Sequence, residues 1–303
     1  MTLTRRLPRD TGLTIRMMIS MAALAALYLV FVYVLLNAGV GTFAMVIVLG
    51  GFLLVQYYFS DSIVLMSVGA RKLKQSDAPE LHGIIERLVA MADLPMPKVA
   101  IMNTPMPNAF ATGRNPQHAA ICVTTGLMKD LDRKEIEAVL AHEITHIKNR
   151  DMTIMTMAAF FATVAATIVQ FAFFFIPMGG MGGGMGGGRR NGNAGALVLL
   201  VSFLVWIVSF FLIRAISRYR EYAADRGSAI LTGDPAQLES ALVKISGVMQ
   251  RIPSRDLRHA ENVSALFIFP AVGRGSLMEL FQTHPTLAHR LEKLRQIARE
   301  MSA

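Results

Sequence analysis

The chain has 303 residues, 53% of them hydrophobic, with a mean hydropathy of +0.45 and a formal charge of +9. That apolarity excludes an ordinary soluble domain. It is gathered in blocks, so the basic excess fits loops held near anionic lipid better than a nucleic-acid face. The single cysteine, Cys122, excludes an internal disulfide and a cysteine-based metal cluster, so any metal site must use His and carboxylate.

Arg5, Arg6, Arg9 and Arg16 stand against one acid, Asp10, before an uncharged run of 20 residues from Met17 to Leu36. About 20 helical residues cross a hydrocarbon core of about 30 Å, so this run can span. The apolar core of a cleaved signal peptide has only about 7–15 residues, so an uncleaved anchor is expected. After Asn37-Ala38-Gly39, Val40 to Phe59 is a second uncharged run, and residues 1–59 are expected to form a membrane hairpin. Arginines before it, and Arg71, Lys72 and Lys74 after it, place both ends in the cytoplasm.

Residues 60–151 then read as one cytoplasmic part. An apolar period through Leu81, Ile84, Ile85, Leu88 and Met91 predicts a helix that stops before Pro95 and Pro97. Lys98–Met102, Ala109–Thr112 and Ala119–Val123 read as three short strands separated by turn formers, a small sheet. Asp132, with Glu135 three residues on, makes an Asp version of the capping box and starts a helix from Arg133 to about Asn149.

Residues 152–213 are expected to hold a second pair of hydrophobic helices. Met152 to Pro177 has 26 residues without a charge, and Ala194 to Ile213 has 20. The Gly-rich loop 178–193 joins them as a flexible linker. Arg214, Arg218 and Arg220 point the far end to the cytoplasm, whereas Arg189 and Arg190 within the loop leave a non-spanning hairpin open. Residues 214–303 read as a second cytoplasmic part, helical in several pieces, with Leu287, Leu291, Leu294 and Ile297 on one face.

The predicted helix after Asp132 contains His142-Glu143-Ile144-Thr145-His146. Residues four apart share a helix face, so both imidazoles can reach one ion, and Glu143 stands where it can take a proton from a water there. The plainer alternative is the polar face of a solvated helix. A catalytic zinc needs three protein ligands and an open position. Asn149 and Met152 stand where one common extension of this motif has Gly and His, so the third ligand comes from elsewhere. Among the downstream carboxylates Glu221 stands out, because it follows the fourth apolar run as the His-containing helix precedes the third. Asp225, one turn later, could orient a ligating histidine through its other ring nitrogen. A salt bridge from Glu221 to Arg218 or Arg220 is the competing reading.

HEITHIKNRD at 142–151, Arg220-Glu221-Tyr222-Ala223-Ala224-Asp225, NAFATG at 108–113 and Thr283-His284-Pro285 occur in the order found in the HtpX family of bacterial membrane metallopeptidases. The chain resembles that family over essentially its whole length. The resemblance implies that His142, His146 and Glu221 bind one Zn2+ per subunit and that Glu143 is the catalytic base. It implies a mainly α membrane protein of about four hydrophobic helices, with a cytoplasmic α+β zincin-like domain of gluzincin type. It further implies a multi-pass enzyme of the bacterial inner membrane that degrades misfolded or damaged membrane proteins and unfolded polypeptides.

Two further assignments stay open at this point. His284 is a candidate donor to the oxyanion, or caps a helix before Pro285. Asn108, Ala109, Phe110 and Ala111 form an edge strand that takes up substrate, or an ordinary strand with Phe110 in the core. Three other function classes compete. An intramembrane protease would bury the motif in an apolar run, but Lys134, Glu135, Glu137, Lys148 and Arg150 surround it. A prenyl-protein peptidase remains an enzyme alternative. A metal transporter or receptor needs ionisable residues within the spans, and the four runs contain none.

Overall fold

The structure is a computed structural model that describes residues 11–37, 60–155, 192–251 and 285–302, with isolated helical positions between 51 and 58 and between 162 and 170. Helix α1 (Thr11–Asn37) carries the first apolar run, and α2 (Ser60–Ser67) follows the second. A two-residue strand, β1 (Arg71–Lys72), leads to α3 (Pro79–Ala92), whose apolar period is buried at Leu81, Ile84, Ile85 and Leu88. Proline costs no hydrogen bond in the first turn of α3, and Asp93 closes the helix in the left-handed conformation at φ 57°.

The three expected strands form as β2 (Lys98–Met102), β3 (Ala109–Gly113) and β4 (Ala119–Thr124). With β1 they make a four-stranded sheet in the order β1-β2-β4-β3. β2 runs parallel to β4, while β1 and β3 run antiparallel to their neighbours. β1 is an addition to the sequence reading, since two residues carry no period. Alternation along the strands sorts the side chains. Val99, Ala109, Ile121 and Val123 join the main core, and Ala100, Phe110, Ala120 and Cys122 pack against Leu65 of α2. Burial pushes the Cys122 thiol up to about 12, so it serves as a small apolar side chain rather than a nucleophile.

Past β4 come α4 (Thr125–Asp130), α5 (Arg133–Lys148), α6 (Gly192–Thr232), α7 (Pro235–Met249) and α8 (Leu287–Ser302). The capping box of α5 forms as expected: Asp132 accepts from the amides of Lys134 and Glu135, and Glu135 accepts from the Asp132 amide. Glu135 also accepts from Ser240 Oγ at 2.6 Å and Lys244 Nζ at 2.7 Å, so the same cap fastens α5 to α7. Almost every residue of α5 from Glu135 to Ile147 is buried, which makes it the central helix of the domain.

One difference from the sequence reading matters for the site. The fourth apolar run and the Glu221 segment, divided at 213/214 in the sequence reading by their polarity, belong to one helix, α6, of 41 residues. The change from apolar to charged at Arg214 alters the solvent a helix prefers, not its hydrogen bonding. No proline interrupts residues 192–232.

Two helical stretches among the described residues are long and apolar enough to cross a membrane, Thr11–Val34 and Leu199–Thr232. Leu24, Tyr28 and Phe31 pack with Val205 and Ile216, while Ile19 and Leu29 of the same helix are 62% and 73% exposed. Tyr28 reaches Ser209, and Arg16 lies beside Tyr222 and Arg226, so α1 and α6 are antiparallel. Most of the second and third apolar runs, loop positions 178–191 and His284 lie outside the described residues.

Candidate metal centre and active site

α5 presents His142 and His146 on one face, as the spacing requires, and their Nε2 atoms stand 3.2 Å apart. α6 crosses this face and brings Glu221 between them, with Oε2 3.6 Å from His142 Nε2 and Oε1 3.5 Å from His146 Nε2. All three side chains are buried, and their donor atoms lie within 4.8 Å of one another. Of the two neighbouring arginines in the competing salt-bridge reading, Arg220 turns to Asp151 at 3.2 Å.

Each histidine has a carboxylate behind it. His142 Nδ1 faces Asp225 Oδ1 at 3.0 Å, and His146 Nδ1 is 2.6 Å from Asp151 Oδ2. A carboxylate beside Nδ1 favours a proton on that nitrogen, which leaves Nε2 as a lone pair aimed into the cluster. Two lone pairs and a carboxylate converging on one point repel one another unless a cation lies among them. Donors about 2.0–2.1 Å from a tetrahedral ion stand about 3.3 Å apart, close to the separations seen here. The residues therefore fit a zinc-type cation by donor chemistry and by spacing. Burial disfavours charge on His142, yet the carboxylates of Asp225 and Glu221 outweigh it and push the imidazole up to about 9, so a proton on Nε2 competes with the cation for this site.

Asp225 is itself held. Arg290 of α8 forks onto it, Nε to Oδ2 at 2.9 Å and Nη2 to Oδ1 at 2.5 Å, and its Nη1 lies 3.7 Å from Glu221 Oε2. Burial alone would neutralise Asp225, but the Arg290 guanidinium keeps its carboxyl below the usual range. Arg290 and Asp151 were not among the residues singled out in the sequence. Both left a signal. Asp151 follows His146 by five positions at a helix end, where Arg150 at φ 57° reverses the chain. Arg290 is a charge on the apolar face of α8, three residues after Leu287 and four before Leu294.

Glu143 is buried beside the cluster, and its Oε2 accepts from the Ala111 amide of β3 at 2.8 Å. Burial raises its carboxyl above the ordinary range, opposed by the nearby histidines, which suits a group that must hold a proton near neutrality. β3 is the end strand of the sheet, as the edge-strand reading requires. Its side chains are not exposed, however: Asn108, Ala109, Phe110 and Thr112 are all buried, and Phe110 is in the core as the plainer reading has it. What faces the site is the Ala111 main chain.

The fit of α5 to α6 sets the ligand geometry. Ser228 Oγ donates to the Ala138 carbonyl at 2.7 Å, and Gly227 lies flush on Thr145. A Cβ on Gly227 would stand 2.3 Å from Thr145 Oγ1, whose position is fixed by donation to the Ala141 carbonyl. Gly227→Ala is therefore expected to wedge the helices apart beside both ligand sets. We predict a loss of about 1–3 kcal/mol of stability, an overpacking cost, together with weaker zinc retention. Thermal unfolding and metal analysis check this; an unchanged melting temperature would refute the close fit.

Residues 75–298 match the family model described as Peptidase family M48. The chain belongs to peptidase family M48. The protease HtpX homolog of Moorella thermoacetica is 59% identical over 98% of both chains. Protease HtpX homolog 2 of Methanosarcina acetivorans is 51% identical over 98% of this chain and 99% of its own. Among solved structures, Ste24p of S. mikatae superposes with a TM-score of 0.54 at 20% identity, covering 94% of this chain and 67% of that one, a likeness of fold. This M48 chain is a metallopeptidase acting on peptide substrates, and its two apolar helices associate it with a bilayer.

Proposed function

We propose that this M48 peptidase is a zinc-dependent endopeptidase of a cell membrane that cleaves misfolded or damaged membrane proteins at the cytoplasmic surface. The observation that carries this reading is the continuity of α6. From Ile213, the end of the apolar run, to Glu221 is eight residues of one helix, a rise of about 12 Å. A ligand that close to a membrane-length segment puts the chemistry beside the lipid surface. Chains leaving or failing to enter the bilayer are at hand there. The arginines flanking both described apolar helices support placing that surface in the cytoplasm.

When bound, zinc supplies a Lewis acid that polarises a carbonyl and makes a water acidic enough to attack at neutral pH. Glu143 takes the proton of the attacking water and delivers it to the leaving nitrogen. Asp225 and Asp151 hold His142 and His146 in the tautomer with Nε2 inward, and Arg290 holds Asp225. β3 offers main-chain groups at the sheet edge, so an extended peptide can pair there whatever its side chains, which suits broad specificity. His284 is assigned the oxyanion donor from the sequence. Support comes from its place just before buried Pro285, six residues ahead of Arg290 at the site.

Cleavage of an unfolded membrane protein by the purified full chain tests the reading. Activity lost to a chelator and restored by zinc supports it, and chelator-resistant cleavage refutes it. Topology has its own check. In oriented vesicles loop 178–193 is expected to be cut by a protease added on the side opposite the active site. Cutting from the active-site side would mean that the third and fourth segments do not span.

A further inference from the structure

A cleft of about 180 Å³ opens where the start of α1 meets α6 and α8, away from the metal centre. Its polar lining includes Arg16, Tyr219, Tyr222, Arg226, Lys293 and Glu300. Three cations thus face one acid, and that acid is committed: Glu300 accepts from Arg226 Nη1 at 3.1 Å and from Gln296 at 3.1 Å. Among the described residues no carboxylate comes within ion-pair distance of Arg16 or Lys293, so the cleft presents net positive charge to whatever enters it.

Size and position narrow the occupant. Pockets for whole soluble ligands run to about 300–1,000 Å³, so this cleft admits a compact charged head whose remainder lies outside. Arg16 immediately precedes the uncharged run that starts at Met17, which sets the opening at the hydrocarbon edge. Tyr219 and Tyr222 are of the type that lies at headgroup depth. Further along the same helix, Met18, Ile19 and Leu29 are 62%, 62% and 73% exposed, so α1 presents an apolar side to the bilayer.

We propose that this cleft binds the phosphate-bearing headgroup of an anionic phospholipid, with the acyl chains lying along the exposed side of α1. Cationic pockets between membrane helices at the cytoplasmic face suit such headgroups. The proposal rests on the membrane placement given above. It also has a consequence for the peptidase. α6 carries Tyr222 and Arg226 into the cleft and Glu221 and Asp225 into the metal centre, while α8 carries Lys293 into one and Arg290 into the other. A headgroup joining α1, α6 and α8 therefore fixes the helices that set the ligand geometry.

Native mass spectrometry of the full chain in neutral detergent tests this, with dioleoyl phosphatidylglycerol and dioleoyl phosphatidylcholine titrated separately. We expect phosphatidylglycerol to be retained about ten-fold more tightly, and Arg16→Gln/Lys293→Gln to abolish that preference. Both substituted side chains are exposed, and Arg5, Arg6 and Arg9 remain to orient the chain, so folding should persist; Lys293→Gln alone provides a second reading. Equal retention of the two lipids, or an unchanged preference in the variants, overturns the proposal. Competition by inorganic phosphate without any lipid preference reassigns the cleft to a soluble anion and overturns it too. Zinc content and chelator-sensitive cleavage in the same preparation test the peptidase reading separately, so failure of one is not failure of the other.

Discussion

Glu143→Gln is expected to lower the cleavage rate by about 10²–10⁴-fold while leaving zinc bound, the range in which a positioned general base contributes. The amide has the shape of the carboxylate and can still accept from the Ala111 amide at the sheet edge. It cannot take a proton from water. Glu143 is outside the cluster formed by His142, His146 and Glu221, so the ligand set is untouched. Rate and metal content must therefore separate in this variant. Metal analysis alongside a cleavage assay reads both, and full activity in Glu143→Gln would end the assignment of Glu143 as base.

Arg290→Met is expected to have the largest effect on stability, about 3–5 kcal/mol, because it leaves a buried carboxylate without its partner. Arg290 and Asp225 are 1% and 0% exposed, so water cannot replace the lost hydrogen bonds. An unsupported Asp225 also stops orienting His142, and loss of such an outer partner weakens metal affinity by about 10–100-fold. Removing the stranded charge as well separates the two effects. Arg290→Met with Asp225→Asn should recover much of the stability yet not the metal affinity. A single variant that melts and binds zinc like the wild type would show that the fork onto Asp225 is incidental.

What could be read in the sequence was whatever depends on neighbours along the chain. The His142–His146 spacing, the capping box at Asp132 and Glu135, and the three strands each need only a few residues to define them, and each formed as expected. Glu221 was harder. Spacing gave no reason to prefer it over other acids beyond its place after an apolar run, and the family resemblance singled it out. Arg290 meets Asp225 across 65 positions, a pairing that only the packing of α8 on α6 creates. The boundary drawn at 213/214 follows a change in polarity, and one helix, α6, runs through it. A helix, however, ends where its hydrogen bonds end, here at Gly233 in a left-handed conformation of φ 71°. Burial of β3 was also not legible, since an end strand can still lie beneath α2 and α5.

The central claim is that three side chains from two helices, His142, His146 and Glu221, hold a single zinc ion. X-ray absorption at the zinc edge, combined with metal content per chain, tests it directly. The wild type is expected to hold one zinc with two imidazole nitrogens, carboxylate or water oxygen and no sulfur, and Glu221→Gln is expected to lose most of that zinc. A sulfur ligand, or full zinc occupancy with an unchanged spectrum in Glu221→Gln, would contradict the account.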